Sequence, residues 1–433
     1  MKILIISSFF PPQNSIASLR PYSWAKYWSR SGHDVTVLTV SKPTRDEDSP
    51  LPFDGFKVVE LPIPFFSSLQ KKVAQEPGPI QSKNSNTNAQ NLINKMWHWC
   101  VTRFAAFQKR YGCFSGCRMP DWRDLWVPSA LKYARSERWD LVVSSAGPYS
   151  VHYVAYKLRR CGLADKWIAD WRDLWTDNHI YPGLPFFRSA EAFLERRWCA
   201  SADVITTVSE PLAELLRGKY GSKVRVVYNG FDQDEYEDLP SGRFFPDDNM
   251  FRIVYTGSIY EEKQNPLPLF EAIARIYTHN PGIVSSLRVL FVGHNANATS
   301  LAERMGVGGF VEYRGFVARP VALQMQRDAD CLLFLDFDPS QFRGVLTGKI
   351  FEYLVAGPPI ISIGFGSDPA VNDVILEGKR GFVLGNDVAK IQDCLLSMIE
   401  GRSKEYTNNN CIYNIQRYSR SNMAERMLTF VNG

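Results

Sequence analysis

The chain has 433 residues, 45% of them hydrophobic and 22% charged, the composition of a globular protein with core enough for two domains. A formal charge of +5, from 50 Lys and Arg against 45 Asp and Glu, is too mild to point to nucleic acid. No uncharged apolar run reaches the ~18 residues of a membrane helix, and eight cysteines in so long a chain make no disulfide scaffold; reduced thiols in a cytoplasmic protein, soluble or peripheral on a membrane, are expected.

The opening MKILIISSFFPP carries one Lys and an apolar run too short for a secretory leader, with no small-residue cleavage site behind it. A buried first strand over Lys2–Ser7 fits better. Further β-branched runs follow at Val35–Thr39, Lys57–Pro62, Leu141–Ser144, Trp167–Asp170 and Val204–Val208. A second series comprises Arg252–Thr256, Leu287–Val292, Val311–Arg314, Cys331–Leu335, Pro359–Ile363 and Gly381–Leu384. Nearly continuous apolar strands alternating with helices predict parallel sheets covered on both faces. Two such series predict an α/β protein of two doubly wound, Rossmann-like domains.

The acidic stretch Asp232–Asn249, broken by Pro240 and Pro246, marks the boundary. The expected domains are therefore 1–235 and 236–415. A last segment, 416–433, holds a helix near Ser421–Val431 that is expected to return to the first domain. Residues of about 67–120 read as an insertion. From Pro77 to Pro120 there is no Asp or Glu, while Lys83, Lys95, Arg103, Lys109, Arg110 and Arg118 are basic. PGPIQSKNSNTNAQ is a polar loop; Ile93, Trp97, Cys100, Phe104, Phe107 and Tyr111 then recur at helical spacing. Such a basic aromatic helix suits an anionic membrane surface, met through 91–118. A helix packed on its domain, or one wall of a large acceptor site, fits the same residues.

The most informative stretch is FRGVLTGKIFEYLVAGPPIISIG, Phe342–Gly364. Gly344 and Gly348 bracket a loop that a ligand can approach closely, and a helix opens near Thr347. Its free N–H groups and dipole suit a diphosphate, and Lys349 adds charge in the first turn. Glu352 lies one turn further on the same side, where a carboxylate can accept from two ribose hydroxyls.

TGKIFEYLVAGPPII resembles the donor-site helix of glycosyltransferase family 4, whose fold is GT-B: two Rossmann-like domains facing each other across a cleft. The similarity extends to FFPPQNSIASLRPYSWAKYWSRSGHDVTVLT after the first strand, to VITTVSEPLAELL, RVVYNGFD, RIVYTGSIYEEKQNP and LRVLFVG, and to VEYRGFV. It implies a retaining transfer of a sugar, hexose or hexuronate, from a nucleoside diphosphate donor, UDP on family frequency. The acceptor would be a glycan or lipid-linked molecule of surface polysaccharide synthesis.

By this resemblance Lys263, with Gly257 and Ser258, meets the diphosphate, and Arg314, Phe316 and Val317 hold the base. Glu352 matches the second of the family's paired glutamates, while Gly344 stands where the first is expected. Sugar contacts then fall to Arg343 or to the backbone of Gly344, Val345, Leu346 and Thr347. In the first domain Asn14, Ser15, Arg20, Gly147 and Asp173 are expected toward the acceptor. Asp170 and Arg172, from the DWRDLW that follows a strand, are candidates for contact with the transferring sugar; a salt bridge bracing the loop is the alternative. Lys263, Glu352, Asp170 and Arg172 make up the candidate catalytic set.

Positive side chains and helix N–H groups can stabilise the departing diphosphate without metal, and no cofactor beyond the donor is expected. Asp336-Phe337-Asp338 and Asp328-Ala329-Asp330 have metal–diphosphate spacing but read as ordinary element ends. His98, Cys100, Cys113 and Cys117 match no common zinc spacing, and His179 reads as a surface loop residue. Other readings are a sugar-nucleotide 2-epimerase, which needs acid–base groups, and a non-catalytic partner subunit of the same fold. A nicotinamide oxidoreductase would need Gly-x-Gly-x-x-Gly after a strand, which none of these strands has.

Overall fold

A computed structural model describes residues 1–13, 15–42, 51–63, 88–178, 181–260, 263–293, 295–338, 344–364, 369–401 and 415–432. The chain forms two compact units. One comprises Met1–Thr207, Leu216–Arg225 and Thr429–Gly433; the other comprises Val208–Leu215 and Val226–Leu428.

The first unit is built on a seven-stranded sheet with strand order β3-β2-β1-β4-β5-β6-β7. Its strands are β1 Lys2–Ser7, β2 Asp34–Val40, β3 Lys57–Leu61, β4 Trp139–Ser145, β5 Ala164–Trp171, β6 Val204–Thr207 and β7 Val224–Val226. The pairs β1–β2, β2–β3, β1–β4, β4–β5 and β5–β6 are parallel. The central strands are buried along nearly their whole length, as a sheet covered on both faces requires. Helix Ile16–Arg30 carries Trp24 and Trp28 inward, stacked at 6.0 Å. The twelve β-branched runs of the sequence all form strands. The short strand β7 was not among them, because three residues of VRV are too few to establish a period.

The second unit has a six-stranded parallel sheet, order β10-β9-β8-β11-β12-β13. The strands are β8 Phe251–Thr256, β9 Leu287–Val292, β10 Val311–Gly315, β11 Cys331–Leu335, β12 Ile360–Ile363 and β13 Gly381–Gly385. Alternate residues divide its core. Ile253, Val289, Phe291, Leu333 and Ile361 meet the helices Leu267–His279 and Val388–Ile399 on one face. Val254, Leu290, Leu332, Phe334 and Ile360 meet the helices Gly348–Ala356 and Pro369–Glu377 on the other. This is the period-two alternation of a strand buried on both sides.

Buried charge is placed where strands end. At the end of β5, the Asp170 carboxylate receives Arg20 Nε at 3.1 Å and Nη2 at 2.7 Å, both side chains being essentially inaccessible. Ser145 at the end of β4 donates to the same carboxylate at 2.9 Å and Thr206 of β6 at 2.7 Å. Three adjacent strands and the first helix thus converge on one carboxylate. Burial alone would raise its pKa, but the Arg20 charge and these hydrogen bonds hold it below the usual range. Elsewhere in this unit, Arg118 and Glu191 form a second buried pair at 2.7 Å.

Removing one member of a buried pair leaves the other uncompensated, typically at a cost of ~3–5 kcal/mol. Asp170→Ala is therefore expected to destabilise the first unit by about that amount, measured by chemical denaturation at neutral pH. Because the native carboxyl is the stronger acid, its contribution is complete above the unfolded pKa of ~3.9 and fades as pH falls below it. The stability difference between wild type and variant should shrink in acid.

Candidate active site

In the second unit the chain winds outward from β8 through β9 to β10, then returns to β11 on the other side of β8. The carboxyl ends of β8 and β11 therefore flank the topological switch point, where open parallel sheets take their ligands. Three loops meet this edge: those after β8 and β10, and the one that enters the helix Gly348–Ala356.

After β8 comes Gly257, with φ +105°, a conformation that suits glycine. A Cβ there would lie 3.1 Å from Cε and Nζ of Lys349, so the bare backbone lets the lysine lie against the loop. The Lys349 ammonium sits 3.7 Å from the centroid of the Tyr255 ring. Burial lowers its pKa to about 7, against the opposing pull of Glu352. The loop is braced by two buried amides. Asn295 donates to the Gly257 carbonyl at 2.6 Å and accepts from Ile259 N at 2.7 Å. Gln264 accepts from Tyr260 N at 3.1 Å and donates to the Leu335 carbonyl at 2.6 Å, tying the loop to the end of β11. Lys263 precedes that clamp, partly buried, its own N–H bonded to the Tyr260 carbonyl at 3.1 Å. Sequence reasoning passed over Asn295 and Gln264. Their only signal was an amide side chain just beyond a strand, which is common in any loop.

Thr347 precedes the helix as its N-cap but makes no side-chain cap bond, and its buried hydroxyl has no partner among the described residues. The first-turn N–H groups thus lack their usual side-chain acceptor, which leaves an anion-binding end. Upstream, Gly344 has φ +83°, and its carbonyl accepts from Ser209 Oγ at 2.7 Å. A Cβ at this position would stand 3.0 Å from Pro211 Cβ, 3.1 Å from Ser209 Oγ and 3.3 Å from Leu212 Cγ. Asn229 donates to the Leu346 carbonyl at 3.2 Å, and Val345 is partly buried between these anchored residues. One turn into the helix, Glu352 is 9% exposed and its Oε1 accepts from Arg319 at 2.9 Å.

At the end of β10, Gly315 turns with φ +65° and its carbonyl accepts from Gly293 N at 2.7 Å. Arg314 is exposed and pairs with Glu312 at 2.8 Å. Phe316 exposes its ring, while Val317 packs on the core. Ser258 takes the Tyr255 hydroxyl on its carbonyl at 2.9 Å.

In the first unit Arg20 and Asp170 lie in the buried pair already described. Arg172 donates from Nη2 to the Ala146 carbonyl at 2.8 Å and lies over the Phe9 ring. Gly147, with φ +108°, leaves Arg172 the space that a Cβ would take, at 2.7 Å from Nη2. Ser15 caps the first helix through Ser18 N at 3.3 Å, and Asp173 is exposed. Asn14, His179 and Arg343 lie outside the described residues. The aspartates with metal-like spacing serve local structure: Asp328 accepts from Phe244 N at 2.5 Å, Asp330 from Arg252 N at 2.8 Å and Asp336 from Phe337 N at 2.8 Å. Among the described residues no cluster of three or more His, Cys, Asp or Glu is disposed to hold a metal.

Comparison with known proteins gives the fold and the family. The Glycosyl transferase 4-like domain matches residues 18–230, and the Glycosyl transferases group 1 family matches residues 250–401. No curated protein matches the sequence significantly. A sucrose-phosphate synthase from Thermosynechococcus elongatus superposes with a TM-score of 0.58 at 14% identity, over 100% of this chain and 98% of that one. WaaG, a glycosyltransferase involved in lipopolysaccharide biosynthesis, gives 0.55 at 14% over the whole of both chains. An E. coli trehalose-6-phosphate structure bound with UDP-2-fluoro glucose gives 0.62 at 12%, over 99% and 98%. At such identities the likeness is one of fold, and that fold is GT-B. With its two parallel sheets and both family models spanning most of its length, the chain belongs to the glycosyltransferases of the family 4 and group 1 type.

Proposed function

We propose that this glycosyltransferase moves a hexose or hexuronate from a UDP-sugar to a glycan or lipid-linked acceptor of surface polysaccharide synthesis, with retention of configuration and without metal. The observation that carries the reading is the helix Gly348–Ala356, with its uncapped N-terminus beside Lys349 and with Glu352 one turn in. In this assignment the diphosphate lies on the first-turn N–H groups between Lys349 and Lys263, beside Gly257 and Ser258. Glu352 accepts from the ribose, and the base rests at Arg314–Val317. The sugar is met by backbone groups of Gly344–Thr347 and by Arg343. Arg172 and Asp173 of the first unit, on the loop that Asp170 anchors, are assigned to the sugar or the acceptor, and Ser15, Asn14 and Gly147 to the acceptor.

As the sugar–phosphate bond lengthens, negative charge grows on the diphosphate, and fixed N–H dipoles and lysines stabilise it without reorganising. The departing phosphate oxygen can take the acceptor proton on the same face, so no protein base is needed. The 2-epimerase alternative asks for acid–base groups beside the sugar. His152, the imidazole nearest this edge of the first sheet in sequence, is buried on Ser144 Oγ at 2.8 Å with its pKa lowered to about 3, unsuited to that work.

The same reading gives the first unit an anionic membrane partner. Along the helix Asn88–Tyr111, Met96, Trp99 and Phe104 are exposed together with Arg103, Lys109 and Arg110. Gly183 N bonds the Tyr111 carbonyl at 3.1 Å, which brings the following segment to the helix end. That segment exposes Phe186 fully and Phe193 by 54%, with Arg188, Arg196 and Arg197. The two acidic residues of the helix Arg188–Cys199, Glu191 and Glu195, are turned inward onto Arg118 and Lys219, so its outer face carries only positive charge. Aromatic side chains interleaved with cations suit an anionic leaflet. No described helix is long and apolar enough to cross a membrane.

Three outcomes are expected. Purified protein should gain melting temperature with UDP over GDP, ADP and TDP, unchanged by EDTA, and Lys263→Ala or Glu352→Ala should each cost donor binding or turnover ~10²-fold or more; near-wild-type behaviour of both variants would end the assignment. Affinity for a nucleotide sugar, whose diphosphate does not titrate near neutrality, should fall as pH rises through about 7 and Lys349 loses its proton. Lys349→Met should be weak and flat across that range; a pH profile like that of wild type would remove Lys349 from the site. Finally, the protein should sediment with phosphatidylglycerol vesicles but not with phosphatidylcholine ones, and Trp99→Ser with Phe186→Ser should release it. Indifference to lipid charge would leave this face to an acceptor glycan.

A further inference from the structure

The position of Arg319 is electrostatically awkward. It opens the helix Arg319–Arg327, with no acidic residue in the first turn and no side-chain cap from Ala318. A cation at a helix N-terminus opposes the dipole, and this one is also largely buried. Two carboxylates offset that cost. Arg319 Nε donates to Glu235 Oε1 at 2.6 Å and Nη2 to Glu235 Oε2 at 2.8 Å, a two-point clamp; the same Nη2 reaches Glu352 Oε1 at 2.9 Å. Buried Arg420 also approaches Glu235 Oε2, with Nη1 at 3.6 Å. The hydroxyl of Tyr236, next to Glu235, donates to the Glu352 carbonyl at 2.9 Å, so one short helix, Gln233–Glu237, steadies both the guanidinium and the backbone it addresses.

We infer that Arg319, clamped by Glu235, is a positioning residue for nucleotide recognition: it fixes the Glu352 carboxylate through Oε1, leaving Oε2 to the ribose hydroxyls of a nucleoside diphosphate. The inference rests on the assignment of Glu352 to the ribose. Among the described residues no other donor reaches Glu352 side-chain oxygens. Glu235 Oε2 and Glu352 Oε1 bond the same nitrogen, so without the guanidinium two largely buried carboxylates would face each other. Like charges so placed repel, and no described residue would then hold the Glu352 carboxylate where Arg319 now fixes it.

The test compares binding of UDP and 2′,3′-dideoxy-UDP by calorimetry, with the guanine pair alongside, in wild type and variants. Hydrogen bonds to a charged acceptor predict that wild type favours the ribonucleotide by ~10-fold or more. Arg319→Gln should bring that ratio close to one. Adding Glu235→Gln to Arg319→Gln should restore the ratio in part, because the repelling carboxylate is gone. Should Arg319→Gln not fold, Arg319→Lys is read instead; a single ammonium cannot clamp one carboxylate and bridge to the other, and a reduced ratio is expected. A folded Arg319 variant that keeps the wild-type ratio overturns the inference alone. Equal binding of both nucleotides by wild type, or binding of neither, overturns the ribose assignment and the inference with it.

Discussion

In a parallel sheet every strand points the same way, so the groups that leave the core all leave it at one edge. The central strands of both sheets here are buried on two faces and offer little else to a ligand. What the chain can do chemically is therefore decided by the few residues that follow β8, β10 and β11 in the second unit and β4 and β5 in the first. The positive-φ glycines at 147, 257 and 344 fall in these stretches, and the one at 315 is the last residue of β10. There the backbone has to turn sharply while remaining close to other groups.

Each unit places a carboxylate against an arginine near this edge, with different consequences. Asp170 receives bonds from Arg20, Ser145 and Thr206 on both oxygens, which consumes most of what a carboxylate can accept. Its work is internal: it joins β4, β5, β6 and the first helix. Glu352 has one oxygen on Arg319, so its geometry is fixed while capacity remains. A carboxylate saturated by its own protein acts as a brace, while one half-satisfied by it keeps acceptor capacity for another donor.

The sequence carried the architecture well because apolar strands of four to eight residues, bounded by Gly and Pro, repeat with helices between them. The helix Gly348–Ala356 was legible for a similar reason: Thr347, Gly348, Lys349 and Glu352 are close in sequence, and a helix of known pitch fixes their relative placement. Partners distant in the chain were not legible. Arg319 and Glu235 lie 84 residues apart, Gln264 and Leu335 71, and nothing local marks such pairs. The DWRDLW at 170–175 raised two readings of Asp170, a sugar contact and a bracing salt bridge. The choice between them turns on Arg20, 150 residues away.

Gly344 stands where the family resemblance expects an acid, and its surroundings leave little room for one. Its backbone is left-handed, and the space a side chain would enter is filled by Pro211, Ser209 and Leu212, with the Ser209 hydroxyl bonded to its carbonyl. A glutamate cannot be accommodated here by one substitution. Installing it would require a different turn and smaller neighbours at the start of the helix Glu210–Tyr220. Residue 344 is therefore free to vary only together with the residues around it, so this position and the chain at 209–212 form one coupled unit of sequence.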